Sequence, residues 1–201
     1  MDIFILAMFV AIGAHILRAK YQRRRIALLS RHLGNYQIEK LMESLTAGYM
    51  RAIGEPDTER REQIWNLLAT TEAGLCDQLN RFAAGFAKVE EADARVSKFA
   101  LTIPYADKLF PDATFDLRKA LAIHAQGITD SARNSGNRPA KEKAFTLSAE
   151  LFLLQHTCHW FCKSKAVASA RMLARHKTSY EQLIASVASD TRTAYCNLTR
   201  R

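Results

Sequence analysis

The sequence predicts an all-α protein: a helical bundle of five or six helices behind one N-terminal membrane-anchoring helix. Three observations predict it. Gly and Pro are scarce, 8 and 4 in 201 residues, which disfavours a many-turned β fold. Apolar residues recur at helical spacing along most of the chain. The first apolar run, IFILAMFVAIGAHIL from Ile3 to Leu17, has no formal charge and no polar face. The expected division is residues 1–25, an anchor with a basic stop, and residues 26–201, a helical cytoplasmic domain.

The anchor comes first. Fifteen residues at about 1.5 Å each span roughly 22 Å, short of the ~30 Å hydrocarbon thickness. Met1 and the snorkelling stems of Arg18 and Lys20 are expected to cover part of the deficit. Asp2 precedes the run and Arg18, Lys20, Arg23, Arg24 and Arg25 follow it, the reverse of a secretory signal peptide. The positive-inside rule then places the amino end outside and everything after the run in the cytoplasm. The expected location is the inner (cytoplasmic) membrane, single-pass, with those five basic residues among lipid head groups.

Behind the anchor, Ile26 to Leu33 continues the helix as a stalk up to Gly34. A helix over 36–53 follows, with Ile38, Leu41, Leu45 and Tyr49 on one face. Gly54 ends it, and Asp57 caps the next, over 58–89, whose face carries Ile64, Leu67, Leu68, Leu75, Leu79, Phe82 and Phe86. A shorter helix is expected over 91–101. YADKLF between Pro104 and Pro111 reads as an ordered turn, because it carries three large apolar side chains. Asp112 is expected to cap a helix over 113–130, and SARNSGNRP reads as flexible. One long helix is expected over 140–177. A last one runs to Asn197, capped by Thr178 or Ser179, with Glu181 near N3 as in a capping box.

Net charge is +9, unevenly placed. Residues 1–25 carry five basic and one acidic side chain, residues 26–130 twelve and fifteen, and residues 131–201 twelve and four. No acid lies between Glu150 and Glu181. The basic stretch Lys163, Lys165, Arg171, Arg175 and Lys177 is a candidate polyanion-binding surface, for acidic lipid first. Nucleic acid is a possible partner with no module to support it.

The four cysteines, Cys76, Cys158, Cys162 and Cys196, are too few for a disulfide scaffold and read as reduced thiols. HTCHWFC sets His156, Cys158, His159 and Cys162 on neighbouring helical rungs, a candidate Zn²⁺ or Cu⁺ site. The competing reading makes Cys158 and Cys162 core residues continuing the stripe of Leu147, Leu151 and Leu154. Phe152, His156, His159 and Lys163 then form a boundary or solvated stripe.

Gly-rich phosphate loops, G-x-S-x-G and H-E-x-x-H are missing, and no motif implies a cofactor. Glu39 and Glu43, one turn apart, read as surface charge. These features lean away from an enzyme. They favour a membrane-anchored accessory or scaffold protein, bound to the membrane through residues 3–17 and to a protein partner through its domain.

Overall fold

A computed structural model describes residues 2–200, so Met1 and Arg201 lie outside the described residues. The chain is an all-α bundle with an anchoring helix. α1 (Asp2–Leu33) is followed by α2 (Ile38–Gly54), α3 (Thr58–Phe86) and the short α4 (Glu91–Ala94). Next come β1 (Arg95–Ser97), α5 (Ala106–Leu109), a 3₁₀ turn (Pro111–Ala113) and β2 (Thr114–Asp116). α6 (Leu117–Arg133), α7 (Ala140–Cys162), α8 (Lys165–His176), α9 (Tyr180–Ser186) and α10 (Ser189–Thr199) complete it.

α3 starts as its sequence requires: the Asp57 side chain accepts the Arg60 N–H at 2.8 Å, satisfying an otherwise orphaned donor. The helix expected over 91–101 is instead one helical turn and a strand. β1 pairs antiparallel with β2, Val96 opposite Phe115. Both side chains are buried, and Phe115 packs edge-on to Trp160 with centroids 5.0 Å apart. Burial of this cross-strand pair outweighs the local helical pattern. The cap of α6 moves accordingly from Asp112 to Asp116, which accepts the Arg118 N–H at 2.8 Å and grips the Arg118 guanidinium.

Of the segment 131–139, the first three residues continue α6 and the rest is a closed turn. Asn134 adopts φ 53°, which Asn tolerates, and its side chain bonds both the N–H and the carbonyl of Arg138. The long helix expected over 140–177 breaks at Lys163, and Ser164 restarts it by accepting the Val167 N–H at 3.3 Å. The last helix is likewise two, and its capping box uses Gln182, not Glu181.

These breaks fold the C-terminal third back over α7. One core joins the second half of α1 to α2, α3, α6 and α7. A second joins α7 to α8, α9 and α10 through Leu153, Met172, Leu183, Val187 and Tyr195. α7 is therefore the central helix, covered on two sides. Buried Glu72 on α3 ties the first core together, accepting from Tyr49 at 2.6 Å and pairing with Lys143.

Candidate functional site

α1 has two characters in one unbroken helix. Every described side chain from Ile3 to Leu17 is exposed, and the helix is long and apolar enough to cross a membrane. From about Tyr21 the same helix packs on the domain, and Leu29 joins the core. Arg25 is the pivot. It is buried, with its guanidinium 4.6 Å from the centroids of both Tyr21 and Phe161. It donates to the Phe161 carbonyl at 3.1 Å and to the Arg95 carbonyl.

Arg25 is therefore no head-group contact, because its charge is spent on the domain's own carbonyls and rings. Arg24 pairs with Asp93 at 2.8 Å. Lys20 and Arg23 are exposed and Arg18 half-buried.

The docked half of α1 forms one wall of a groove of about 810 Å³, facing α2, α7 and α8. Its floor is apolar, with Leu29, Leu79, Phe82, Leu154 and Cys158. Glu39 and Glu43 stand on the α2 side, and His159, Arg175 and His176 on the α7–α8 side. The carboxylate pair that the sequence offers only as surface charge, with Lys40 between them, thus stands across an apolar channel from Arg175; burial lowers His159 and His176 and keeps both imidazoles neutral.

The HTCHWFC residues divide between the two sides of α7. Cys158, His159 and Cys162 line the groove. His156 is buried on the other side, 3.1 Å from the Ser169 hydroxyl and stacked on Tyr180 with centroids 4.7 Å apart. The expected boundary stripe is therefore interior at His156, because α8 and α9 cover it. Among the described residues no group of three or more His, Cys, Asp or Glu is placed to hold a metal ion.

All four cysteines are free. Burial pushes the Cys162 thiol up to about 11 and Cys158 higher still. Both stay protonated at neutral pH, which disfavours nucleophilic attack, since the thiolate is the nucleophile. Burial, assisted by Lys165 and His159, depresses His156 to about 3, so it is neutral.

The basic stretch is divided too. Lys163 sits in the break and donates to Gln22 on α1 at 3.1 Å. Lys165 lies over the rings of Trp160 and Tyr180, 5.2 and 4.5 Å from their centroids. Arg171, Arg175 and Lys177 remain exposed. Because the helix breaks at Lys163, that residue does not share one unbroken helical face with Arg171 and Arg175.

Two groups escaped sequence reasoning. The first is a buried polar layer between α6, α7 and α10. Thr157 donates to the Leu153 carbonyl at 2.9 Å and receives His124 and Tyr195, each at 2.9 Å. With the hydroxyl proton committed to Leu153, the histidine donates, which assigns the Nε2–H tautomer. Burial, with His156 nearby, depresses His124 to about 3.

About two turns along α7 from Thr157, fully buried Glu150 accepts the Ala188 N–H at 3.0 Å, at the start of α10. Burial raises its carboxyl to about 7 against the pull of that N–H. Isolated polar residues in helical patterns give no signal of such burial.

The second group is the loop between β1 and β2, where Leu101, Tyr105, Leu109 and Phe110 are exposed. Its signal was visible as the three large apolar residues of YADKLF. No family model, curated protein or solved structure matches this chain.

Proposed function

We propose that this chain is a single-pass, membrane-anchored accessory protein whose cytoplasmic domain docks a partner. The observation that carries this reading is α1: its apolar half is exposed throughout, and its second half is built into the core. A helix whose apolar side chains face solvent on all sides needs a lipid or protein environment. Arg18, Lys20 and Arg23 flank it at the domain end, which supports the cytoplasmic orientation.

The docking surface in this reading is the groove beside α1. Its apolar floor between Glu39 and Glu43 on one side and Arg175 on the other fits an amphipathic helix with basic residues along the flank facing the glutamates and an acid facing Arg175.

Alkaline washing of membranes tests the anchor. The full-length protein is expected to stay in the pellet and to be released by detergent; release by alkali alone refutes the reading. A photo-crosslinker at Thr46, inside the groove, tests the docking. It is expected to give a discrete membrane-protein adduct that the double reversal Glu39→Lys/Glu43→Lys removes without changing extraction. An adduct indifferent to that reversal refutes the charged-lip reading.

A further inference from the structure

We infer that the loop carrying Leu101, Tyr105, Leu109 and Phe110 is a second membrane contact, dipping into the interface of the leaflet that α1 leaves; this rests on the anchor reading above.

The first ground is composition. Leu101 is 59% exposed, Leu109 62%, Tyr105 47% and Phe110 47%, four large apolar or aromatic side chains within ten residues of one loop. Such a concentration on a small domain marks an interaction site. Phe110 already packs edge-on to Phe99 at 5.5 Å, and Lys108 stands over Tyr105 at 5.9 Å. The loop therefore presents a shaped apolar surface with a cation at its edge.

The second ground is position. Tyr105 meets Tyr21 of α1 with centroids 5.9 Å apart, and the Gln22 amide donates to the Thr102 hydroxyl at 3.5 Å. Tyr21 is four residues beyond Leu17, about 6 Å along the helix. The polar layer on each side of the hydrocarbon is about 5–8 Å deep, so Tyr21 and the loop against it stand at head-group depth. The apolar run falls about 8 Å short of the hydrocarbon thickness, which draws the domain closer still. Tyrosines at this depth match the aromatic belt of a membrane interface; Lys108 stands over Tyr105, Lys20 adjoins Tyr21 in the chain, and Arg25, Asp107 and Asp93 also act on Tyr21. An apolar surface held there meets lipid.

The occupant is thus the bilayer that holds the anchor. Unlike the groove, whose walls are charged on both sides, this surface offers neutral apolar tips suited to the acyl boundary.

The test uses the full chain in nanodiscs of zwitterionic and anionic phospholipid, with and without bromine on the upper acyl chain. Leu109→Trp and, separately, Leu101→Trp add one exposed fluorophore each to the background of Trp65 and Trp160. Phe4→Trp reports on the span. The added emission at 109 or 101 is expected to shift to the blue and lose at least half its intensity in brominated discs. Quenching at Phe4→Trp with none at either loop position overturns the inference and leaves the anchor standing. Quenching at none of the three overturns both.

Discussion

Replacing Glu150 with Gln should change the pH dependence of stability by a calculable amount. The folded carboxyl titrates near 7, whereas an unfolded glutamate titrates near 4.5. Between those values the folded protein keeps a proton that the unfolded chain has shed. Stability contributed by this group is full below pH 4.5 and is lost as pH rises to about 7. Each pH unit costs about 1.4 kcal/mol, or roughly 3 kcal/mol across the window.

His124 and His156 act with the opposite sign. Both are held near 3 when folded, and their unfolded forms take up protons below about 6.5. They make stability rise with pH between about 3 and 6.5. From pH 4.5 to 6.5 the three groups leave one net proton on the unfolded side, a rise of about 1.4 kcal/mol per unit. Gln preserves the acceptor for the Ala188 N–H and removes the acid, so the rise becomes about 2.7 kcal/mol per unit. Other titrating groups cancel in the difference between the two proteins.

Urea titrations of the full chain in non-ionic detergent, read by tryptophan fluorescence at several pH values, give both curves. Parallel curves would refute the assignment of a buried, proton-holding Glu150.

Arg25→Ala removes a guanidinium that serves two carbonyls and two rings. It should lower stability by about 3 kcal/mol, seen as a lower urea midpoint. Arg25→Met, which keeps the stem, should recover less than half; full recovery would show that the carbonyl bonds contribute nothing. Gly127→Ala places a methyl group against the Thr191 hydroxyl and 3.0 Å from the Glu150 carboxylate. Its Tm should fall by the equivalent of about 1–3 kcal/mol of overpacking, although alanine is favoured in helices by about 1 kcal/mol. At pH 8, Cys158 and Cys162 should alkylate at least about tenfold more slowly than free cysteine, as peptide mapping would report, because little thiolate is present.

What the sequence conveyed depended on what each signal measures. Apolar periodicity located α2, α3 and α7, because each buries a stripe along several turns. Asp57 marked its helix because a cap acts on its immediate neighbours. The breaks at Lys163 and at Val187 carry no Gly or Pro, and their cause is tertiary: α8–α10 fold back over α7. The burial of His156 and Glu150 follows from that return and was hidden with it. β1 and β2 are three residues each and pair across an intervening loop, too short and too distant for a period-two pattern to register. Arg25 read as one more basic stop residue because nothing local separates it from Arg23 and Arg24; only the approach of Phe161 and Arg95 makes it a core residue.

The boundary between the exposed apolar part of this chain and its packed domain falls inside a helix, where a linker would ordinarily be found. A version trimmed for solubility at the end of α1, after Leu33, would lose Arg25, Leu29 and the wall of the groove together. Trimming after Leu17 would spare them. The two halves also share one hydrogen-bond ladder from Asp2 to Leu33, so a twist or tilt imposed on the span reaches the domain without slack. The exposed apolar half of α1 is a handle on the domain, and whatever grips it can turn what lies beyond.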